Sequence, residues 1–112
     1  MIGAVVITEI LSVYKKHGWT LRRVLLSDKL KTSLGNDGED LFDGIKPSDS
    51  TLDGLWFSRA SKGSLEAWEL RHLGANPYAL VEVMETAIAE KERDERLRET
   101  QIRMQNSINK AN

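Results

Sequence analysis

The sequence contains no cysteine, which excludes disulfides, thiolate metal sites and a cysteine nucleophile. It has only two prolines, and its last third, from Pro77 to Asn112, contains no glycine and no further proline. No segment approaches the roughly 18 consecutive apolar residues of a membrane span. The apolar N-terminus has no basic segment before it and is interrupted by Glu9, so we do not expect a signal peptide. These absences favour a soluble cytoplasmic protein that does not bind membranes.

Acidic and basic side chains are nearly equal in number over the whole chain. The formal net charge is −1, so no global field attracts the protein to nucleic acid or to an anionic membrane. The charges are nevertheless segregated, because residues 1–36 carry six basic and two acidic side chains, whereas residues 37–53 carry six acidic and one basic. We expect these two segments to face each other in the fold.

The common reaction motifs are also missing. There is no phosphate-binding loop, dinucleotide fingerprint or nucleophile elbow. The two histidines, His17 and His72, have no second ligand at metal-binding spacing, and the acidic segment lacks the alternation of an EF-hand loop. The sequence therefore predicts no catalytic residue, no metal and no cofactor.

The first half of the chain alternates between clear and ambiguous patterns. Residues 3–17 have the apolar spacing of an amphipathic helix, and Gly18 can end it in a left-handed conformation. Residues 19–26 predict a strand, although a second helix continuing through Leu30 and Leu34 is an alternative. Turn-forming residues dominate from Gly35 to Gly54, which predicts a long loop with one short ordered piece around residues 41–45.

A β-hairpin is the clearest strand signal. Residues 55–59 and 65–73 are rich in strand formers, and the four residues between Ala60 and Leu65 include a glycine. In the second arm Trp68, Leu70 and His72 share one face. We expect Trp68 and Leu70 to form the centre of the core.

Two adjacent aromatic residues in the first arm must face opposite sides of the strand. They are Trp56 and Phe57. We expect one of them in the core. For the other, which has Arg59 and Lys62 nearby, we expect core or sheet packing, and the alternative is a contact for a partner protein or a single-stranded nucleic acid.

The last third predicts one long helix. Asn76 is suited to the N-cap and Pro77 to the first helical position. A helix of about 30 residues is roughly 45 Å long, more than the width of a domain of this size. An apolar stripe over residues 79–88 is expected to pack on the sheet, whereas residues 89–96 depend on i,i+4 charge pairs such as Asp94 with Arg98.

These patterns predict an α+β fold: a small antiparallel sheet of about three strands, packed by an N-terminal helix and a long, partly projecting C-terminal helix. Residues 1–88 form the globular domain and residues 89–112 the projecting polar helix. Apolar residues recur at heptad-like spacing on that helix. We therefore expect a non-enzymatic protein–protein interaction or oligomerisation module that binds a second copy or a partner helix. Its predicted interaction residues are Leu97, Gln101, Met104, Ile108, Trp56 and Arg59.

An enzymatic alternative rests on three acidic residues. Asp53 precedes the first hairpin arm, Glu69 and Arg71 lie in the second, and Glu9 is on the first helix. This order resembles the core of the PD-(D/E)xK nucleases, which implies a metal held by the carboxylates. Arg71 stands where that family has lysine, and an arginine does not lose its proton at working pH. We therefore predict no metal-dependent nuclease activity.

A nucleic-acid-binding alternative uses the same elements differently. Two helices, a hairpin and a long C-terminal helix resemble the PadR-like winged-helix regulators in outline. In such a fold the segment before the hairpin is the recognition helix and is basic, because phosphate neutralisation supplies much of the affinity. Here that segment is acidic, so a nucleic-acid partner is not expected.

Overall fold

The structure is a computed structural model that describes residues 2–111, except the side chains of Asp37, Glu39 and Ala111. Four helices and five strands follow in the order α1 (Ala4–Lys16), β1 (Thr20–Leu26), α2 (Asp28–Leu34), α3 (Asp37–Leu41), β2 (Ser48–Asp49), β3 (Gly54–Ala60), β4 (Leu65–His72), β5 (Ala79–Glu85) and α4 (Glu90–Ala111).

One mixed sheet forms the centre of the molecule. Its strand order is β2-β1-β3-β4-β5, with β1 and β2 parallel and the other pairs antiparallel. The predicted α+β class and the β3–β4 hairpin are confirmed. The prediction of about three antiparallel strands was too low, because two further strands, β2 and β5, lie at the edges.

Helices α1, α2 and α3 cover one face of the sheet. Their apolar side chains join Val24, Leu26, Leu55 and Phe57 in one buried cluster. Ser27 caps α2 by accepting a hydrogen bond from the Leu30 N–H at 3.2 Å. Gly18 has a φ of +84°, so α1 ends through the left-handed residue that the sequence predicted.

Helix α4 covers the opposite face. Trp56, Trp68, Leu70, Met84 and Leu97 belong to a second buried cluster, which also includes Met104. Trp68 and Leu70 are 1% and 0% exposed, as the hairpin pattern predicted. The two aromatic neighbours of β3 lie on opposite faces and both are buried, so the expected packing is confirmed and the alternative of a surface contact is wrong.

The C-terminal third is not one helix. Asn76 and Pro77 precede a strand, β5, and the predicted apolar helical stripe is divided between β5 and the turn that follows it. Helix α4 has 22 residues, which corresponds to about 33 Å at 1.5 Å per residue. Leu97 and Met104 are buried against the sheet and Ile108 packs beside them, so the helix does not project as predicted.

The segment between α2 and β3 contains more ordered structure than the predicted loop. Helix α3 ends at Leu41, where the sequence placed a short ordered piece between residues 41 and 45, and β2 pairs with β1 through Ser48 and Asp49. The Lys31 ammonium donates a hydrogen bond to Asp49, so one contact joins the basic and acidic segments as expected.

Candidate protein-docking surface

Helix α1 leaves the β4–β5 half of its sheet face uncovered. Its Tyr14 ring stacks on Phe57 of β3, with 4.0 Å between ring centroids. The Tyr14 hydroxyl donates a hydrogen bond to the Glu69 carboxylate on β4. The helix therefore lies over β1 and β3, and its Tyr14 side chain reaches β4.

The uncovered floor of this face is apolar along β5. Glu69 pairs with Val81 and Ala67 with Val83, and the bond from Tyr14 shows that these four side chains lie on the face of α1. Val81 and Val83 are 49% and 47% exposed. Isolated exposed valines are ordinary, but two on one strand face, beside Ala67, form a continuous apolar strip.

One flank of α1 forms the wall beside this floor. Val6, Ile10 and Val13 line a groove of about 290 Å³ together with Arg71 of β4. A second groove of about 440 Å³ continues past Val13 toward the end of the helix. Val6 and Val13 are 46% and 52% exposed. We call the surface formed by Val6, Val13, Ala67, Val81 and Val83 the open face.

The open face is about as wide as one helix. Neighbouring strands lie about 4.8 Å apart, so two uncovered strands present a floor roughly 10 Å wide. An α-helix with its side chains has a diameter of about 10–12 Å. The same sheet thus holds α4 on one side and offers room for a helix on the other.

Charged groups also lie in the floor of the groove, because Glu69 and Arg71 of β4 stand between α1 and the β5 residues Val81 and Ala79. Glu9 and Arg71 line the first groove, and Arg59 and Glu69 line the second. Burial, and then the hydrogen bond to Glu69, raises the pKa of the Tyr14 phenol well above its usual value. Tyr14 therefore remains a neutral donor that fixes α1 to β4 and is not a base for catalysis.

The carboxylates of the nuclease alternative do not come together. The two Asp53 carboxylate oxygens accept hydrogen bonds from the Ser27 N–H at 2.6 Å and from its hydroxyl at 3.1 Å. Gly54 pairs with His72, so Asp53 lies about 13 Å from Glu69 along the sheet at 3.3 Å per residue. No group of three metal-ligating side chains occurs in the described part of the chain. Asp53 acts as a structural link to the start of α2.

The winged-helix alternative also lacks its geometry. The hairpin is the centre of a five-stranded sheet, with α1 on one face and α4 on the other, and is not a wing beside a recognition helix.

The residues predicted to bind a partner mostly serve the core of the chain itself. Leu97 and Met104 are 0% exposed against the sheet, and Ile108 packs at the edge of the same cluster. The Trp56 indole N–H donates a hydrogen bond to the Gln101 side-chain oxygen at 2.9 Å. The expectation that Leu97, Met104 and Ile108 lie beyond any core is wrong.

The remaining predicted contact, Arg59, lies beside the open face. Its guanidinium is 4.4 Å from the centroid of the Trp19 ring and donates a hydrogen bond to the His17 carbonyl at 3.0 Å. It therefore fixes the end of α1 against the hairpin.

A larger cavity of about 680 Å³ lies on the other flank of α1. Leu11, Leu21 and Phe57 are among its apolar lining residues, and Lys15, Asp40 and Asp43 are among its polar ones. All three charged residues are exposed to solvent. A site that orients a small ligand usually has polar groups converging in its interior, and here they stand at the rim.

The valines of the open face were not predicted, because the sequence pattern places them in a helix. One strand signal was present: two β-branched valines, Val81 and Val83, lie two positions apart with Glu82 between them. Comparison with family models, curated protein sequences and solved structures found no match. Within residues 2–111, no helix is both long and apolar enough to cross a membrane.

Proposed function

We propose that the protein is a non-enzymatic protein–protein interaction module that docks partners on the open face. The observation that carries this proposal is the pair of exposed apolar strips, one on α1 and one on β5, that border the same uncovered part of the sheet. This retains the interaction module expected from the sequence but moves its surface from α4 to the opposite side.

The partner that best fits is an amphipathic helix. The floor is about one helix diameter wide, and its apolar part, with the valines of the wall, accepts an apolar stripe of i, i+3, i+4 spacing. Glu69 and Arg71 lie between the wall and the valines of β5, and Glu9 and Arg59 line the grooves beside α1, so the docked helix needs polar side chains that pair with them. Such charges of both signs select the orientation of the partner more than they add affinity.

In-cell photo-cross-linking tests this proposal directly. A photoreactive phenylalanine analogue is placed at Val13 or at Val83 in the organism that makes the protein. We expect discrete adducts at both positions, because both side chains border the docked partner. The matched control is the same analogue at Lys91, an exposed residue of α4 on the other side of the sheet. Adducts that are no more abundant at Val13 and Val83 than at Lys91 would refute the proposal.

A surface substitution separates docking from folding. Val13→Asp adds a charge to the wall at a position that is already half exposed, so its thermal midpoint should stay within about 3 °C of the wild type. The adducts that Val83 forms with other proteins should nevertheless be lost. Unchanged adducts in Val13→Asp would show that the wall plays no part in binding.

A further inference from the structure

The outer edge of β5 has a short row of unpaired backbone N–H and C=O groups. The Tyr78 carbonyl accepts a hydrogen bond from the His72 N–H at 2.8 Å, and the Thr86 N–H donates to the Ser64 carbonyl at 2.7 Å. Backbone groups alternate in direction along an antiparallel strand. The odd-numbered residues of β5 therefore direct their N–H and C=O groups away from β4, and within residues 2–111 those of Ala79 and Val81 have no backbone partner.

This row of unpaired groups ends at Pro77 on one side and at Glu85 on the other. Pro77 has no N–H to offer. At the other end the Glu85 carbonyl already accepts a hydrogen bond from the Ile88 N–H at 3.0 Å. The Val83 carbonyl lies 3.4 Å from a terminal nitrogen of Arg96, which leaves it able to accept a second bond. The segment of β5 that can pair with another strand thus extends from Ala79 to Val83.

We propose that a second copy of this chain pairs its β5 antiparallel to this edge, with the twofold axis at Val81. The inference rests on the proposed function and names a partner for part of the same surface. Val81 then lies opposite Val81 of the second copy, and Ala79 opposite Val83 of the second copy. The pairing forms about six backbone hydrogen bonds and joins the two sheets into one.

This register is the one that leaves the fewest groups without partners. It places Pro77, which lacks a donor, opposite Glu85 of the second copy, whose carbonyl is already bonded. An axis at Val83 would instead set the free Val81 N–H against that occupied carbonyl. An axis at Ala79 would leave the Val81 carbonyl facing a proline without a donor.

The side chains also agree with an axis at Val81. Val81 and Val83 meet Val81 and Ala79 of the second copy on the face of α1, so the apolar strip becomes continuous across the axis. On the other face Glu82 lies opposite Leu80 of the second copy, so no two like charges are directly paired. The interface is smaller than that of a typical stable complex, so the dissociation constant should be on the order of 10 µM.

The absence of native cysteine allows a direct test of the register. Cα atoms in a directly hydrogen-bonded antiparallel pair are about 5.5 Å apart, inside the roughly 4.4–6.8 Å range of disulfides. Val81→Cys, oxidised with copper phenanthroline, should form a covalent dimer of twice the 12.6 kDa chain mass. Val83→Cys alone should not, because its two thiols lie about four residues, roughly 13 Å, apart. A mixture of Ala79→Cys and Val83→Cys chains should cross-link.

Sedimentation of the unmodified chain provides the second measurement. The wild type should be dimeric at about 100 µM and increasingly monomeric below about 10 µM. Val81→Lys should be monomeric at both concentrations, because a charged side chain on an edge strand opposes pairing with another strand. Its thermal midpoint should be unchanged, because the Val81 side chain is 49% exposed and its backbone groups have no backbone partner among the described residues. A wild type that is monomeric at about 100 µM, or Val83→Cys chains that cross-link as fast as Val81→Cys chains, would overturn the proposal. If other proteins still cross-link at Val13 and Val83 in that case, the docking function stands without the dimer.

Discussion

Gln101 joins α4 to the centre of the sheet through a single hydrogen bond from the Trp56 indole, which is otherwise buried. Gln101→Leu removes the acceptor and leaves that N–H without a partner in an apolar interior. We expect the free energy of unfolding to fall by about 1–3 kcal/mol, measured by urea denaturation. Gln101→Glu, which keeps an oxygen acceptor, should lose less. Gln105→Leu, one turn further and nearer to solvent, is the matched control, and an equal loss in both leucine variants would contradict this role.

His72 makes stability depend on pH in a direction that its surroundings determine. Burial lowers its pKa below the usual value near 6.5, the Arg71 guanidinium lowers it further, and the Asp53 carboxylate partly opposes them. The unfolded chain therefore binds this proton at a higher pH than the folded chain does. The contribution is fully present above about pH 6.5 and is lost as the pH falls from there toward the folded-state pKa.

Denaturation of the wild type and of His72→Gln at pH 7.5 and pH 5.5 measures this contribution. Other carboxylates titrate in both proteins, so the useful quantity is the change between the two pH values. The wild type should lose more free energy of unfolding than the variant over this interval. An equal loss in both proteins would mean that the His72 environment does not favour the neutral imidazole.

Among the elements, α4 changes role most between sequence and structure. Its mean composition is highly charged, so the sequence suggested a helix with too few apolar residues to pack. The structure buries Leu97 and Met104 against the sheet at helical spacing, with the polar Thr100 between them, and leaves Ile102 exposed. Its charges reach the sheet: Asp94 accepts a hydrogen bond from Arg23 at 2.6 Å, and Glu82 accepts one from Arg96 at 2.6 Å. The predicted pairing of Asp94 with Arg98 was local, whereas the observed partner is 71 residues away.

Leu97→Ala should therefore lower the free energy of unfolding by about 2–5 kcal/mol, because it leaves a cavity in the cluster that contains Trp56 and Trp68. Ile102→Ala is the matched control, because Ile102 lies on the same helix but is 55% exposed. We expect that control to change stability by less than about 0.5 kcal/mol. Chemical denaturation measures the free energy of unfolding of both variants. A loss in the Leu97 variant as small as that in the Ile102 variant would contradict the burial of Leu97.

Removing α4 entirely should unfold the domain. Deletion after Ala89 exposes Trp56, Trp68, Leu70 and Met84 to water on one whole face of the sheet. We expect the loss of the near-ultraviolet circular dichroism signal of the tryptophans, together with aggregation. A truncated chain that keeps this signal would show that the sheet is stable without the helix.

The sequence predicts individual helices and strands better than it predicts which elements pack or pair with each other. Helix α1, its end at Gly18 and the β3–β4 hairpin follow from periodicity and turn residues. Strand β1 was ambiguous for a reason that the structure shows: a bulge lies between Leu21 and Arg23. Because of it, adjacent Arg22 and Arg23 both reach the face of α4, the first to the Ser58 hydroxyl at 2.9 Å and the second to Asp94. A bulge breaks the two-residue alternation that identifies a strand.

Strand β5 was missed because its local signals conflict. Asn76 and Pro77 form a good helix start, and residues 79–88 fit a helical apolar stripe as well as they fit alternation. Pairing with β4 decides the outcome, and that contact is not visible in a window of sequence. The candidate site depends on the same strand, so the open face was not predicted either.

At the scale of the whole molecule, the two faces of one sheet have different roles. Helix α4 completes one face from within the chain, and α1 completes only the β1–β3 half of the other. An uncovered, partly apolar half-face of this kind is the surface on which we place the docking of a partner and the pairing of a second copy.

Thiol labelling of single-cysteine variants tests this division most directly, because the chain has no other cysteine. Met104→Cys reports the face under α4, and Val13→Cys reports the wall of the open face. We expect native Met104→Cys to react at least about a hundredfold more slowly than Val13→Cys, since its exposure requires several kcal/mol of local unfolding. The two variants should react equally fast in denaturant. Equally fast reaction in the native state would contradict the account, because it would mean that α4 stands away from the sheet with its apolar side free.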